Sequence, residues 1–337
     1  MALTAASSMT NSSGVSPLLA LPSMETDLAR VEEALRAAVR TEDDYLTELA
    51  SHLVVAGGKR LRPVVAMAAA QTRESGVGED VVQGAVSVEL VHLGSLYHDD
   101  VMDEADTRRG VETVNAKWGN LQAILAGDFL LSRASEIAAS LGTEIAGLLA
   151  STIGRLCYGQ IGELRRTYSP TRTEEEYLDS ISGKTASLFA TAARIGTLVR
   201  GLERPQVEAL TEYGHAFGMV FQIVDDILDL TATEAQLGKP SGHDMVEGVY
   251  TLPVIRTLAG GGAAAAELRD LLGRPLDPVE CDKALAIVRS GGAVDGALAV
   301  GAHYVDEAEA ACAVLPAGPA TDALRSAPSA LLAVASG

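Results

Sequence analysis

A helical repeat of apolar residues runs through almost the whole chain from Met24 onward, and it constrains the fold more than any other feature. In the segment METDLARVEEALRAAVR, the residues Leu28, Val31, Leu35 and Val39 recur every three or four positions, which is the spacing of one face of an α-helix. Alternating runs with hairpin turns, which would predict strands, are not found in the sequence. Aromatic residues, which are enriched in strands, make up only 4% of the chain.

Several of the predicted helices are apolar around most of their circumference. They cover residues 80–102, 120–141, 174–200 and 205–230. Because a helix that is apolar on all sides is normally surrounded by other helices, these segments are expected at the centre of a large bundle. We therefore predict one all-α domain over residues 24–337, without internal repeats, and loops at the glycine-rich stretches 259–266 and 290–292.

The first 23 residues, MALTAASSMTNSSGVSPLLALPS, are predicted to form a disordered or loosely attached tail. The segment lacks the basic start of a signal peptide, and its apolar patch is too short for one. No apolar run elsewhere reaches the roughly 20 residues of a membrane span. The three cysteines are widely spaced, which fits a reducing compartment. We therefore expect a soluble cytoplasmic protein.

The formal net charge of −19 disfavours two classes of partner. Sequence-independent binding to nucleic acid requires lysine and arginine side chains that displace counterions from phosphate. A polybasic membrane anchor requires the same side chains. Small anionic substrates remain possible, because bound metal ions can reverse the electric field inside a cleft.

Two aspartate-rich stretches, YHDDVMDEADTRRG and VFQIVDDILDL, each end a long apolar helix. Their aspartates, spaced DDxxD, are Asp99, Asp100, Asp103, Asp225, Asp226 and Asp229. The first and last aspartate of each motif are four residues apart, so their carboxylates lie one turn apart on the same helix face. Such like charges repel each other at the negative end of a helix dipole unless a cation lies between them. Mg²⁺ fits this role because it usually binds one or two carboxylates together with phosphate oxygens and water.

An acidic, solvated helix end is the alternative explanation for either motif alone. A second motif at the end of another apolar helix strongly disfavours that explanation. Two such sites facing each other across a bundle would hold several divalent ions, and a diphosphate would complete their coordination.

Basic residues that could bind phosphate lie in four segments. They are Lys59, Arg60 and Arg62 in GGKRLRP, Arg108 and Arg109 in DTRRG, Lys184 in SGKTAS, and Lys239 in LGKPSGHD. A basic surface loop is the alternative explanation for GGKRLRP on its own. The SGKT tetrapeptide resembles the end of a P-loop, but no GxxxxG motif or strand precedes it, and we reject that function.

Taken together, these motifs resemble those of the trans-polyprenyl diphosphate synthases, in the same order and over roughly residues 50–255. The matching segments are GGKRLRP, HDDVMDEADTRRG, AGDFLL, SGKTA, FQIVDDILD and GKPSGHDMVEG…TLP. The resemblance implies the isoprenoid synthase fold, which is an all-α bundle around a deep central cavity. It also implies head-to-tail addition of isopentenyl diphosphate to an allylic diphosphate, with three Mg²⁺ ions when substrate is bound.

The resemblance also implies roles for individual residues. The implied magnesium ligands are Asp99, Asp103, Asp225 and Asp229, supported by Asp100 and Asp226. The implied contacts to the allylic diphosphate are Arg108, Lys184, Thr185, Gln222 and Lys239. The implied contacts to isopentenyl diphosphate are Lys59, Arg62, His92 and Arg109. The implied catalytic set is Asp99, Asp100, Asp103, Arg108, Lys184 and Asp225.

Two positions depart from the family pattern. Val249 stands in EGVYTLP where many members have a lysine, so one phosphate contact is expected to be missing. Glu163 stands in YGQIGEL where an aspartate is common, which keeps the charge. His92 on its own would fit a satisfied core histidine better, and only the motif around it favours a substrate contact.

Product length is predicted from Gly94 and Ser95, which precede Asp99 by about one helical turn. Short-chain members of the family commonly carry Tyr or Phe at this level, whereas small side chains leave a channel open. We therefore predict a product of about thirty carbons or more, of the kind used as a quinone side chain. The alternative is a short-chain synthase in which Phe129 or Leu125 closes the channel.

Other functions and assemblies are alternatives to this one. A terpene cyclase also ionises a diphosphate with metal-bound aspartates, but the second motif and the cations Lys59, Arg62 and Arg109 disfavour it. A non-catalytic subunit of a two-component synthase would be expected to have degraded motifs, whereas a catalytic chain that needs a partner remains possible. We expect a homodimer with NLQAILAGDFLLSRA as the candidate interface, and only transient membrane contact during product release.

Overall fold

The computed structural model describes residues 16–233 and 241–336, and most of them are helical. The chain begins with α1 Ser16–Leu19, α2 Met24–Ala38, α3 Asp44–Val55, α4 Leu61–Ala70 and α5 Glu79–Met102. A hairpin follows, with β1 Thr107–Arg108 and β2 Val111–Glu112. Next come α6 Val114–Trp118, α7 Asn120–Ser140, α8 Thr143–Leu164, α9 Glu174–Ile181, a π-helical turn Ser182–Ala186, and α10 Ser187–Val199. The last elements are α11 Arg204–Thr231, α12 His243–Val246, α13 Leu252–Ala259, α14 Gly262–Leu271, α15 Pro278–Ser290, α16 Ala293–Ala311, a 3₁₀ turn Cys312–Val314, and α17 Pro319–Ala333.

The centre of the bundle is formed by α5, α10 and α11, with α4, α7 and α16 packed around them. Along α5 the closely spaced residues Val88, Leu90, Val91 and Leu93 point in different directions and are all fully buried. Such a helix has protein on every side, as its all-round apolar sequence predicts. The all-α class is confirmed, and α5 and α11 are the two central helices that carry the aspartate motifs at their carboxyl ends.

The segment from Ser16 to Ser23 is packed against the bundle, although it was assigned to the loose tail. Leu18 is fully buried and Leu21 is 6% exposed, and α1 contacts α4 and α17. Burial of these leucines offsets the conformational entropy lost on ordering so short a segment. The rest of the predicted tail, residues 1–15, lies outside the described residues.

The glycine-rich stretch at 259–266 is also more regular than predicted. Helix α13 ends at Ala259, and α14 already begins at Gly262, so the alanines at 263–266 are helical. Alanine has the highest helix propensity, which outweighs the preceding glycines once the chain has turned. The break predicted at 290–292 is confirmed, because α15 ends at Ser290 and α16 begins at Ala293.

Within the two described ranges, no single helix is long and apolar enough to cross a membrane. Only Pro278–Ser290 and Ala293–Val314 taken together reach the required length and composition, and they are bent by 64° at their junction.

Candidate active site

The first aspartate motif ends α5 and presents its carboxylates in two directions. Asp99 and Asp103 lie one turn apart, and they are half-buried and exposed, respectively. Asp100 is rotated by about 100° from Asp99, is only 1% exposed, and accepts a hydrogen bond from Arg108 Nε. Asp99 and Asp103 are therefore available to a ligand, while Asp100 orients Arg108.

Burial raises the pKa of Asp99, and it raises the pKa of Asp103 to about 6. The charge of Lys184 opposes both shifts, whereas Glu163 adds to the first and Asp99 adds to the second. A divalent cation between the carboxylates would remove this repulsion, and an all-oxygen donor set suits Mg²⁺. Among the residues that the structure describes, no three His, Cys, Asp or Glu side chains converge enough to hold an ion alone. Phosphate oxygens and water would therefore complete the coordination.

A tight hairpin after α5 positions the two arginines of the first motif. Strands β1 and β2 pair antiparallel, with Arg108 opposite Val111. Between them, Arg109 and Gly110 have φ angles of 55° and 76°, as expected for the two central residues of a type I′ turn. No strand was expected here, because two-residue strands are too short to show an alternating pattern.

Two residues that the sequence analysis missed tie this hairpin to the end of α5. Thr113 Oγ1 donates to the carbonyl oxygen of Ala105 at 2.6 Å. Asn115 Nδ2 donates to the carbonyl oxygens of Asp100 and Ala105, at 3.1 Å each. The available signal was a threonine at the N-cap position of α6, where its side chain accepts from the Ala116 amide. These contacts hold the arginine turn close to the aspartates.

Arg60 and Arg62, neighbours in GGKRLRP, lie in different environments. Arg60 is buried, and its guanidinium donates to Glu32 at 2.5 Å, to Glu89 at 3.0 Å and to a backbone carbonyl. The Arg62 guanidinium lies 4.7 Å from the centroid of the Phe189 ring, and its Nε has no hydrogen-bond partner. Arg60 therefore has a structural role, whereas Arg62 retains a donor for a ligand.

The glycine pair of the same segment makes room for Arg109. The Arg109 guanidinium donates to the Gly57 carbonyl oxygen, and its Nη1 lies 2.8 Å from the place where a Cβ would stand at Gly58. Any side chain at Gly58 would displace this guanidinium, and its φ of +152° also disfavours other residues. The GG turn thus brings Arg109 close to Arg62.

His92 faces this arginine cluster from α5. Burial, together with the charges of Arg62 and Arg109, lowers the pKa of His92 well below its ordinary value, so the imidazole is neutral at pH 7. Burial and the repulsion from Arg109 also lower the pKa of Arg62 to about 10, although Glu89 opposes this shift. A bound anion would relieve the repulsion between these arginines, so the cluster fits a phosphate group. Lys59, also predicted to contact isopentenyl diphosphate, is exposed.

The SGKTA segment forms a π-helical turn between α9 and α10, in agreement with the rejection of a P-loop. Lys184 Nζ donates to Glu163 Oε1 at 2.6 Å. Burial lowers the pKa of Lys184, but the charges of Glu163 and Asp99 outweigh this effect and raise it overall. Lys184 is therefore a permanent cation beside the first aspartate motif. Short π-helical turns occur frequently at functional sites.

Two glycines allow α8 to approach the π-helical turn. A Cβ at Gly159 would lie 2.5 Å from the Lys184 amide nitrogen, and one at Gly183 would lie 3.0 Å from the Arg155 carbonyl oxygen. Real side chains do not pack this closely to backbone. The close approach places Glu163, one turn after Gly159, within reach of Lys184.

The second aspartate motif ends α11 and resembles the first in its arrangement. Asp225 is exposed, whereas Asp226 is 4% exposed. Asp226 accepts from the Tyr177 hydroxyl at 2.5 Å and from Gln222 Nε2 at 2.8 Å. In both motifs the second aspartate thus binds other protein side chains. Tyr177 was not identified from the sequence.

Gln222 connects the second motif to the π-helical turn. Its Oε1 accepts from Thr185 Oγ1 at 2.8 Å, and its Nε2 donates to Asp226 Oδ1. The predicted substrate contacts Thr185 and Gln222 are therefore brought together. They join the element that carries Lys184 to the element that carries Asp225.

Asp229 connects α11 to the chain that resumes at Ser241. Its Oδ2 accepts from the Asp244 amide at 3.3 Å, and its carbonyl oxygen accepts from the Gly242 amide at 2.8 Å. The side chain is only 4% exposed, so it supports this connection in addition to any part in metal binding. Lys239, a predicted diphosphate contact, lies outside the described residues.

Gly94 does not border an open channel, contrary to the prediction from its small size. It is buried, and a Cβ there would lie 3.0 Å from the Gly127 carbonyl oxygen and 3.2 Å from Leu131 Cγ. The glycine instead allows α5 and α7 to pack closely, which a pattern within one helix cannot show.

Ser95 remains the candidate for control of product length. It is half-buried one turn before Asp99, and its hydroxyl donates to the His92 carbonyl oxygen at 2.8 Å. Leu125 is 64% exposed on α7, so it cannot form the floor of a cavity inside this chain. Phe129 is half-buried and packs against the core.

Comparison with known proteins identifies sequences that are similar to this chain over most of its length. The family model for polyprenyl synthetase matches residues 43–288. The chain is 40% identical to nonaprenyl diphosphate synthase of Mycobacterium tuberculosis over 298 residues, which are 88% of this chain and 89% of that protein. It is 41% identical to heptaprenyl diphosphate synthase component 2 of Geobacillus stearothermophilus over 90% of this chain and 94% of that protein. It is 43% identical to geranylgeranyl diphosphate synthase of Methanosarcina mazei over 66% of this chain and 70% of that protein.

A solved structure shows the same architecture. The polyprenyl synthase from Caulobacter crescentus complexed with calcium and isoprenyl diphosphate superposes with a TM-score of 0.88 at 34% identity. The match covers 96% of this chain and 98% of that chain. The isoprenoid synthase fold expected from the sequence is thereby confirmed.

Proposed function

Because this chain belongs to the polyprenyl synthetase family, we propose that it is a Mg²⁺-dependent prenyltransferase that adds isopentenyl diphosphate head-to-tail to an allylic diphosphate. The observation that carries this proposal is the presence of two clusters of cationic side chains near the aspartate motifs. One contains Lys184 and Arg108, and the other contains Arg62, Arg109 and the neutral His92. Two diphosphates require two such clusters, whereas a cyclase would use one.

The allylic diphosphate would bind where Lys184 and Arg108 meet the first motif. Asp99, Asp103 and Asp225 have the oxygen donors that suit Mg²⁺, which would neutralise charge on the departing diphosphate. Lys184 is already oriented by Glu163, and Arg108 by Asp100. Because both cations are held in place before substrate arrives, little reorganisation is needed when the allylic carbon–oxygen bond ionises. The amide dipole of Gln222, fixed by Thr185, lies close to the same site.

Isopentenyl diphosphate would bind at the second cluster. Arg62 and Arg109 supply the charge, and the unpartnered Arg62 Nε is a donor that an anion would satisfy. A neutral His92 can donate one N–H to a phosphate oxygen. This cluster lies near α5 about two helical turns from Asp99, so a substrate anchored there can extend its double bond toward the allylic carbon.

We propose a long product, of about thirty carbons or more. Ser95 is small and half-buried directly below Asp99, and relatives named for nonaprenyl and heptaprenyl products are similar over about nine-tenths of the chain. A product of about twenty carbons is the alternative, in keeping with the similarity to a geranylgeranyl diphosphate synthase.

We propose that two copies of the chain associate through the outer faces of α7 and α8. Half of the twelve large apolar side chains that are exposed in the described residues lie there. They are Leu121, Ile124, Leu125, Tyr158, Ile161 and Leu164. Clustered apolar side chains that are exposed on adjacent helices are typical of a protein interface, and α7 is the helix predicted for this role.

Sedimentation velocity tests the dimer. Leu121→Glu together with Leu125→Glu should convert a dimer into monomers, because it places charge at the centre of the patch. Val279→Glu, at a side chain that is 77% exposed on α15, is the matched control and should remain dimeric. A wild-type monomer would contradict the proposal and favour a partner chain, as the name of the Geobacillus relative suggests.

A reducing, cytoplasmic location is proposed on the state of the cysteines. Cys157, Cys281 and Cys312 are all free, and only Cys157 is exposed. Free cysteines persist where thiols are kept reduced.

The reaction itself is tested with purified protein, labelled isopentenyl diphosphate and allylic primers of different length. We expect Mg²⁺-dependent elongation that falls by at least about a hundredfold in Asp99→Asn. Asp106→Asn, in the same acidic stretch but outside the DDxxD spacing, is the matched control and should retain activity. Equal activity of the two variants would refute the assignment of the metal site, and no elongation by the wild type would refute the reaction.

A further inference from the structure

Tyr177 of α9 is buried next to the second aspartate motif. It is 1% exposed, and its hydroxyl donates to Asp226 Oδ2 at 2.5 Å. Asp226 is 4% exposed, and its other oxygen accepts from Gln222 Nε2 at 2.8 Å. Each oxygen of the Asp226 carboxylate therefore accepts a hydrogen bond, one from Tyr177 and one from Gln222. Asp226 is therefore held by Tyr177 and Gln222 together.

The same contacts form a continuous chain of hydrogen bonds. Thr185 donates to Gln222, Gln222 donates to Asp226, and Tyr177 donates to Asp226 from the other side. Tyr177 and Thr185 lie eight residues apart in the stretch that runs from α9 into the π-helical turn. The chain therefore fastens α11 to that stretch at two points.

A buried cation, Arg172, lies against the Tyr177 ring. The Arg172 guanidinium is 5.5 Å from the centroid of the Tyr177 ring, and its Nη1 donates to the Tyr250 carbonyl oxygen at 3.2 Å. Arg172 is 5% exposed, and its Nε and Nη2 have no hydrogen-bond partner. Its charge is attracted by Glu163 and by Asp226, and its guanidinium lies against the Tyr177 ring.

We propose that Tyr177 is a positioning residue for the diphosphate site, which acts through Asp226 and Gln222. Asp225 is the chain neighbour of Asp226, and Lys184 is the chain neighbour of Thr185, so the hydrogen-bond chain sets the distance between these two ligand-binding groups. The inference rests on the proposed function, because it takes Asp225 and Lys184 to bind one diphosphate. Loss of the Tyr177 hydroxyl would leave a buried carboxylate oxygen without a donor, and Asp226 would rotate and release Gln222.

Tyr177→Phe tests this directly, because it removes the hydroxyl and leaves the ring in place. Tyr213→Phe is the matched control. Tyr213 is also fully buried, lies on α11, and its hydroxyl has no hydrogen-bond partner. A general effect of losing a buried tyrosine hydroxyl would appear in both variants.

The readout is the dissociation constant of inorganic diphosphate, measured by calorimetry in saturating Mg²⁺, with thermal melting in metal-free buffer beside it. We expect Tyr177→Phe to weaken binding about tenfold, as for one hydrogen bond to a charged group, and Tyr213→Phe to bind like the wild type. We also expect the effect of Tyr177→Phe to disappear in an Asp226→Asn background, because the two residues act as one unit. This coupling separates positioning from loss of stability.

Wild-type affinity in Tyr177→Phe would overturn the proposal. So would a weakening of equal size with and without Asp226→Asn, since it would show that Tyr177 does not act through Asp226. A wild type that binds no diphosphate with Mg²⁺ would overturn it as well. Elongation by the wild type is measured separately, so a protein that binds diphosphate but transfers no prenyl group would refute the proposed reaction alone.

Discussion

Replacement of Arg60 by methionine should destabilise the protein, although Arg60 lies in a motif associated with substrate binding. The side chain is 3% exposed and makes ion pairs with Glu32 at 2.5 Å and Glu89 at 3.0 Å. Glu89 is itself only 2% exposed at its side chain. The variant would leave this carboxylate buried without its principal cation.

The magnitude follows from the surroundings of Glu89. Removal of one partner of a buried ion pair typically costs about 3–5 kcal/mol. Arg62 and Arg109 also attract Glu89, so the loss is reduced and we expect about 3 kcal/mol. Because the unfolding entropy is about 2.1 cal/mol/K per residue, this loss corresponds to a fall in Tm of roughly 4 °C for a chain of 337 residues.

The assay is thermal melting of the wild type, Arg60→Met and Arg62→Met at one protein concentration, followed by isopentenyl diphosphate binding. Arg62→Met should change Tm by less than about 2 °C, because the Arg62 side chain packs on the Phe189 ring and, among the described residues, makes no ion pair like those of Arg60. The same variant should weaken the binding of isopentenyl diphosphate. Glu89→Gln added to Arg60→Met should recover part of the stability. If Arg60→Met melted like the wild type, or if Arg62→Met were the unstable variant, the division of roles within GGKRLRP would be refuted.

Three further predictions concern other parts of the site. His92 is neutral in the folded protein, because its pKa lies well below 6.5. In the unfolded chain His92 binds a proton below pH 6.5. The free energy of unfolding should therefore fall by up to about 1.4 kcal/mol per pH unit as the pH drops below 6.5. Urea unfolding at several pH values should show this slope in the wild type and a smaller slope in His92→Gln. Ser95→Phe should shorten the product with little loss of Tm, whereas Gly94→Phe should lower Tm strongly because it collides with α7. Gly58→Ala should raise the KM for isopentenyl diphosphate about tenfold, because its Cβ displaces Arg109.

Each of these has an outcome that contradicts it. Equal pH slopes in His92→Gln and the wild type would show that His92 does not cause the loss of stability in acid. An unchanged product length in Ser95→Phe would show that another helix controls the length. For Gly58→Ala the matched control is Gly78→Ala, where a Cβ meets no atom within 4 Å and φ is not positive. A similar rise in KM in both would show that Arg109 is not displaced.

Features that repeat along one helix were predicted correctly from the sequence. The spacing of Asp99 and Asp103 is a property of α5 alone, and the apolar pattern of α5 and α11 shows that both are central. The fold class followed in the same way. The roles that the family resemblance implies for Lys184 and Gln222 stay predictions, and the structure shows that Gln222 contacts Thr185, the neighbour of Lys184.

Features that depend on contacts between distant segments could not be predicted. The difference between Arg60 and Arg62 comes from Glu32 and Glu89, which lie 28 and 29 residues from Arg60. The sequence predicts Gly94 to line a channel, because the contact of Gly94 with α7 is invisible in the sequence. Tyr177 lies 49 residues from Asp226, and a tyrosine in an amphipathic helix gives no sign of such a partner.

The most direct test of the proposed reaction is the mass of the products that the purified wild-type chain forms. The chain is incubated with labelled isopentenyl diphosphate and ten-, fifteen- or twenty-carbon allylic primers, with and without Mg²⁺. We predict Mg²⁺-dependent products of about thirty carbons or more from at least one primer. Products that stop at fifteen or twenty carbons would contradict the predicted length. The absence of any product with all three primers would contradict the central claim that this chain is by itself a polyprenyl diphosphate synthase.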